Sequence, residues 1–275
     1  GYDLIGRNLP LRHNYPRRLL GPGLLSEMVN PAIDISALSV AYGETTVLNG
    51  IDVQVAKGEI AIVLGGSGCG KSTLLKSIIG LVQPRTGRIE VLGQDATDLD
   101  EETRTALTRQ FGVMFQYGAL FNSLTIGQNI ALPLEMHTDL TPDLIADIVR
   151  TRLSLVGLEH AYDRYPDELS GGMRKRAALS RAMVMDPKIL FCDEPGAGLD
   201  PVTAAEIDEL LLTINRALGT TIIIVTHELL SIERLDGRLI MLDQGKVIFT
   251  GTVSEAKDSV HPFIHPFFHP GDPHA

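Results

Sequence analysis

The chain has 275 residues and a formal charge of −10, from 24 Lys and Arg against 34 Asp and Glu. Its composition, 44% apolar and 21% charged, is that of a globular protein with length for a full core, which sets disordered, collagen-like and coiled-coil classes at a disadvantage. The acidic balance argues against a sequence-independent nucleic-acid binder, and two widely separated cysteines, Cys69 and Cys192, argue against a disulfide framework and for a reducing compartment.

Residues 1 to about 31 are rich in Pro, Gly and Arg and lack apolar periodicity, so they read as an extension. Arg17 and Arg18 followed by leucines imitate a twin-arginine export signal, but Gly21, Pro22, Gly23 and Glu27 interrupt the apolar stretch and no small-residue cleavage site follows. The main domain is expected over 32–250, with 251–275 as a second extension. Ile60 to Leu64, Ile189 to Cys192 and Ile222 to Val225 are β-branched-rich runs without alternation, as expected of strands buried on both faces of a mostly parallel, helix-covered sheet. The acidic cluster Asp98, Asp100, Glu101 and Glu102 reads as a solvated loop entering a helix. Thr141, Pro142 and Asp143 predict an N-cap, a Pro at the first position and an acidic first turn, for a helix from about 142 to 156. From about 117 to 186 the chain is mainly helical in pattern, an inserted helical subdomain. No run of about eighteen uncharged apolar residues occurs, so a membrane role is expected to be peripheral.

Gly65-Gly66-Ser67-Gly68-Cys69-Gly70-Lys71-Ser72 fits G-x-x-x-x-G-K-[ST], follows the run Ile60 to Leu64 and opens a helix that continues through Thr73, Leu74, Leu75, Ile78 and Ile79. Glycines at that spacing let backbone N–H groups converge on phosphate oxygens, and the helix N-terminus adds partial positive charge. Lys71 is expected to neutralise the β- and γ-phosphates and Ser72 to ligate Mg²⁺. Cys69 reads as a small filler, since no resolving thiol lies near it in sequence. Ile189-Leu190-Phe191-Cys192 ends in Asp193 and Glu194. Ligands sit beyond the carboxyl ends of parallel strands, so Asp193 is a candidate Mg²⁺ ligand and Glu194 a candidate base for an attacking water. Cys192 reads as core.

With these two segments in place, the sequence resembles an ATP-binding cassette (ABC) ATPase. Leu169-Ser170-Gly171-Gly172-Met173 is similar to the family's L-S-G-G-Q, Gln116 to its Q-loop glutamine, Leu199-Asp200 to its D-loop, and Thr226-His227-Glu228 to its switch-histidine segment. Tyr42 stands where the family places an aromatic that stacks on adenine. The resemblance covers roughly residues 33 to 250 and implies a P-loop α/β fold with a mostly parallel core sheet, an antiparallel β subdomain and an inserted helical subdomain. It also implies ATP and Mg²⁺ as cofactors, the metal held by Ser72, Gln116 and Asp193, and catalysis by Glu194, His227, Lys71 and Gln116. ATP would contact Tyr42, residues 65 to 73, Gln116, Asp193, His227 (at the γ-phosphate) and, in a head-to-tail dimer with a second copy, Ser170, Gly171 and Gly172. Met173 replaces the family's Gln, and Gly196 stands where many relatives carry Thr. The basic run Arg174, Lys175, Arg176 is either a reinforcement of the phosphate field or a solvated face.

Gln116 to Thr138 begins with Tyr117, Ala119, Leu120 and Phe121, an apolar cluster that suits either a partner interface or packing inside the helical subdomain. The wording of this segment, of residues 171 to 195 and of the C-terminal tail is similar to Mla-type ATPases. That resemblance implies phospholipid transport between bacterial membranes, with integral permease subunits, an MCE-domain lipid-binding subunit and a small regulatory subunit, from the cytoplasmic face of the inner membrane. The tail repeats His261-Pro262-Phe263, His265-Pro266-Phe267 and His269-Pro270. A Pro after each His is expected to forbid a helix that would align the histidines. The tail therefore reads as an extended docking segment, with Phe263, Phe267 and Phe268 as its anchors, rather than as a metal-binding or a disordered end.

Overall fold

The structure, a computed structural model, describes residues 31–270; the N-terminal extension called over 1–31 lies almost wholly outside them. Strands β1 (Ile33–Tyr42) and β2 (Thr45–Val55) pair antiparallel, and with β4 (Thr86–Val91) and β5 (Gln94–Asp95) they form one sheet in the order β2-β1-β4-β5. A six-stranded sheet comprises β3 (Ile60–Gly65), β6 (Phe111–Met114), β7 (Ile189–Asp193), β8 (Thr221–Val225), β9 (Arg238–Asp243) and β10 (Lys246–Gly251), in the order β10-β9-β3-β8-β7-β6. Only the β9–β10 pair of this sheet is antiparallel.

The three apolar runs lack alternation because both sheet faces are covered. Ala61 and Val63 of β3, with Phe191, Ile223, Val225 and Ile240, share a core with the antiparallel sheet and with helix α1 (Lys71–Ile78). Ile62 and Leu64, with Leu190, Cys192, Ile224 and Met241, face the other way. There they meet α5 (Gly171–Met183), α6 (Pro201–Leu218) and α7 (Leu229–Leu235). Each fully buried Leu, Ile or Phe contributes about 1.5–3 kcal/mol of hydrophobic stabilisation.

Asp100 caps α2 (Glu101–Thr108) by accepting from the Thr103 N–H at 2.8 Å, with Glu101 and Glu102 in its first turn. α3 (Ile126–His137) opens on a reciprocal Thr125–Gln128 capping box. α4 (Pro142–Leu155) starts where predicted, but the Thr141 hydroxyl makes no capping bond; Pro142 sets the first turn. α3, α4 and α5, with the segment that follows α4, build a third core from Ile126, Ile130, Val149, Leu153, Leu158 and Ala177, whereas Leu107 of α2 belongs to the first.

The tail departs from its sequence reading. After α8 (Val253–Lys257) the chain forms a short helix, α9 (His265–Phe268), in which Pro266 occupies the first turn. A Pro there costs no hydrogen bond, because first-turn N–H groups lack intrahelical partners anyway. His265 and His269, four apart, consequently stack with ring centroids 4.4 Å apart. The tail is not extended: Ile264 and Phe268 are buried among Val253, Ala256 and the sheet residues of the second core, and Phe267 packs beside them. Of the three expected anchors only Phe263 stays open, 54% exposed.

Candidate functional site

Strands β3, β8, β7 and β6 are adjacent and parallel, so the residues that follow them emerge in a row on one side of the sheet. In order across that row stand the loop 65–70, His227, Asp193 with Glu194, and Gln116. Register alone thus brings together segments that are scattered along the sequence.

The glycine loop is shaped by close contacts. A Cβ on Gly65 would lie 2.1 Å from the Leu242 carbonyl oxygen and 2.7 Å from Cys69 Sγ; one on Gly70, whose φ is +111°, would lie 2.5 Å from Leu48 Cδ2. Cys69 is buried, and its sulfur fills the space under Gly65, as the filler reading expects. Gly66, Ser67, Gly68 and Ser72 are exposed, while Lys71 and Thr73 are half-buried. The Lys71 ammonium folds back over the loop and donates to the Gly65 and Gly66 carbonyls, both at 2.9 Å. The first-turn N–H groups of α1 start from Gly70, which has no side chain to cap them, so they point outward as donors for an anion. A side chain at Gly65 or Gly70 would collide with Leu242 or Leu48 and force the loop out of this shape, and the donor set fits a polyphosphate. Tyr42 closes β1 opposite Thr45 and is 49% exposed.

Glu194 follows β7 in a left-handed conformation, φ +50°, which is rare and strained for a side chain of this kind. Its N–H donates to the Val225 carbonyl at 2.8 Å, tying it to β8. Its Oε1 accepts from His227 Nδ1–H at 2.7 Å, an assignment that follows from the carboxylate's having only acceptors. Its Oε2 is buried and has no hydrogen-bond partner, an orphaned acceptor suited to a water. Burial pushes the Asp193 carboxyl above the usual range and the neighbouring charge of Glu194 pushes it further, against the pull of Lys76 and Lys71. Glu228 is raised by burial and then by Glu194 in the same way. Asp193, half-buried at the end of β7 and within the field of Lys71, offers carboxylate oxygens, and the exposed Ser72 a hydroxyl, of the hard kind that a divalent cation such as Mg²⁺ takes.

Ser170, Gly171 and Gly172 lie at the start of α5. The exposed Ser170 accepts from the Met173 N–H at 3.3 Å as its N-cap. A Cβ on Gly172 would lie 2.3 Å from Thr203 Cγ2, whereas one on Gly171 would meet Leu199 Cδ2 at 3.3 Å. Among the described residues no hydrogen bond joins this corner to residues 65–73 of the same chain. Met173 packs against the helical core, a role its apolar side chain fills better than Gln. At Gly196 a Cβ would lie 3.0 Å from Glu228 Oε2 and 3.4 Å from Ala204 Cβ, so a Thr there would require the Glu228 carboxylate to shift by a few tenths of an ångström.

Sequence reasoning missed Lys175. The basic run divides by helical position. Arg174 is exposed and its guanidinium donates to the Leu169 carbonyl, Arg176 donates to the Val156 carbonyl, and Lys175 is buried. Its position four residues after Gly171 and four before Leu179, on the buried face of α5, is the signal that would have found it.

The ABC transporter family profile matches residues 48–197. Over 196 residues the chain is 43% identical to the probable ribonucleotide transport ATP-binding protein mkl of Mycobacterium leprae, a match covering 71% of this chain and 56% of that one. Over 208 residues it is 43% identical to the methionine import ATP-binding protein MetN of Haemophilus ducreyi, covering 76% and 60%. The chain therefore spans rather more than half the length of these relatives. In structure it is similar to the ATP-binding cassette MJ0796, solved as a post-hydrolysis dimer bound to ADP and Pi, with a TM-score of 0.75 and 29% identity over 80% of this chain and 98% of that one. It is similar also to cbiO1 of Clostridium perfringens, part of the ABC transporter complex cbiONQ, with a TM-score of 0.77 and 32% identity over 84% and 92%. A glycine cradle, a carboxylate pair beyond β7 and a serine-glycine corner on one cassette scaffold make this chain a member of the ABC transporter family, as an ATP-binding and ATP-hydrolysing cassette.

Proposed function

We propose that this cassette powers phospholipid transport between the membranes of a bacterium, as a peripheral subunit at the cytoplasmic face of the inner membrane. The observation that carries the reading is the exposed apolar pair beside the site: Tyr117, 90% exposed, directly follows Gln116, and Phe121, 51% exposed, lies four residues further on. An aromatic surface adjoining the row of ATP-facing residues suits integral permease subunits, so that movement there reaches Gln116. No helix of the described residues is long and apolar enough to cross a membrane, and the permease role falls to other chains. The Mla-like wording of the same segment supports a lipid substrate, an MCE-domain partner and a small regulatory subunit.

In this reading Lys71, Ser72, Thr73 and the loop 65–70 hold the phosphates, Tyr42 meets the adenine, and Ser72, Gln116 and Asp193 hold Mg²⁺. The metal, when bound, supplies charge neutralisation at the phosphates. Glu194 accepts the proton of the attacking water, and His227 orients that carboxylate. Ser170, Gly171 and Gly172 close on the nucleotide of a second copy. The domain runs over 32–250, with 117–186 as its helical subdomain and 251–275 as an extension whose exposed Phe263 is open to a partner.

A second reading, an importer cassette for another solute, is favoured by the likeness to relatives named for methionine import and ribonucleotide transport. Purification of the complex in mild detergent separates the two. Phospholipid in the extract, with permease and MCE-domain chains alongside, is the expected result; a bound amino acid or nucleotide and no MCE-domain chain overturns the lipid reading.

A further inference from the structure

Lys175 is a buried cation on α5, and both of its hydrogen bonds go to backbone carbonyls of the site. Its ammonium donates to the Gln116 carbonyl and, at 2.9 Å, to the Glu194 carbonyl. Burial pulls its pKa below that of an ordinary lysine, opposed chiefly by the charge of Glu194. Burying an ammonium is costly unless its donors are satisfied, and a packing role alone would be met by an apolar side chain. The charge is held where two otherwise separate pieces of chain come together.

Both pieces are conformationally demanding. Glu194 sits at φ +50°, and the loop after Gln116 passes through two successive left-handed residues, Gly118 at φ +73° and Ala119 at φ +49°. A second α5 cation reinforces the loop: the Arg181 guanidinium donates to the Gly118 carbonyl at 2.9 Å and to the Ala119 carbonyl at 2.8 Å. Thus one helix, whose N-terminus is the Ser170–Gly172 corner, grips three carbonyls of the Gln116 loop and the backbone of Glu194.

We infer that Lys175 is a positioning residue that locks the Gln116 loop and Glu194 to the same helix, so that displacement of the serine-glycine corner moves both groups together. This rests on the roles proposed above for Glu194 and Gln116. Lys175 itself touches no reacting atom. It holds two strained backbone segments in register, and what it contributes is placement of the carboxylate relative to the phosphates.

The test compares Lys175→Met, an unbranched side chain one atom shorter and without a donor, with Lys175→Gln, of the same reach as Met, whose amide keeps two donors. Steady-state hydrolysis is measured on the full chain, and nucleotide affinity by a fluorescent ATP analogue. Misplacement of reacting groups by about an ångström costs up to about a hundredfold, so Lys175→Met is expected to lower kcat about 10- to 100-fold. Analogue affinity should stay within about twofold, and Lys175→Gln should recover kcat to within about threefold of the parent. Where Lys175→Met does not fold, Lys175→Asn replaces it, because its amide is too short to span both carbonyls. Parental kcat in the donor-less or short variant overturns the inference, as do equal impairment of Lys175→Gln and a loss of affinity in step with kcat. Glu194→Gln is assayed alongside. Retained hydrolysis there overturns the assigned base, whereas an inactive Glu194→Gln beside a fully active Lys175→Met overturns the lysine tie alone.

Discussion

His227 Nδ1 lies 2.7 Å from Glu194 Oε1, while the other oxygen of the same carboxylate is buried and unpartnered. One oxygen is therefore fixed by the imidazole and the other is left for a water. Removal of a general base costs about 10²- to 10⁴-fold, so Glu194→Gln is expected to cut phosphate release by at least about a hundredfold. ATP-driven dimerisation, followed by light scattering, should persist. His227→Ala frees the carboxylate to rotate and should lower kcat by about 10²-fold with KM for ATP little changed. Equal losses in kcat and in ATP affinity would argue against an orienting role.

Lys71 spends two of its three N–H donors on the carbonyls of its own loop, and those carbonyls can turn to water when it is removed. Lys71→Met should therefore melt within about 1 kcal/mol of the parent without nucleotide. ATP with Mg²⁺ at a hundred times its Kd stabilises the parent by about 2.7 kcal/mol, and the variant should lose this increment. Differential scanning fluorimetry with and without ATP makes the comparison.

Gly171 and Gly172 are adjacent in sequence but differ in what confines them. The Thr203 methyl blocks a Cβ on Gly172, and Thr203 is pinned by hydrogen bonding to Asp200 at 2.5 Å, whereas only the flexible end of Leu199 faces Gly171. Overpacking of this kind costs about 1–3 kcal/mol, the destabilisation expected of Gly172→Ala. Gly171→Ala should change stability by less than about 1 kcal/mol, because Ala favours the helix. Urea denaturation of both variants distinguishes them.

Phe268 and Phe263 are five residues apart and differ in burial, 6% against 54% exposed. Truncating a buried Phe costs about 3–5 kcal/mol, so Phe268→Ala should cost about 3 kcal/mol, while Phe263→Ala should stay within about 0.5 kcal/mol. A defect of Phe263→Ala confined to assembly with other chains would mark it as a contact residue.

What the sequence disclosed follows a physical division. The strands β3, β7 and β8 were legible because burial on both faces demands unbroken apolar runs, and the phosphate loop because only glycines tolerate its approach to Leu242 and Leu48. Lys175 was not legible as a site residue. Inside a basic run it has the composition of a solvated face, and only its placement between two carbonyls from distant segments separates it from Arg174 and Arg176. The tail was misread because the rule that Pro breaks helices yields in a first turn, and a four-residue helix with Pro266 there needs no more than that.

The row formed by β3, β8, β7 and β6 acts as a ruler. Neighbouring strands lie about 4.8 Å apart, so the glycine loop and Gln116 are spaced by three such intervals, roughly 14 Å along the sheet edge. Backbone pairing sets that interval, which makes it insensitive to the identity of any one side chain. Evolution or engineering can retune what each tooth of the comb presents, but the gauge itself changes only if a strand is added or lost.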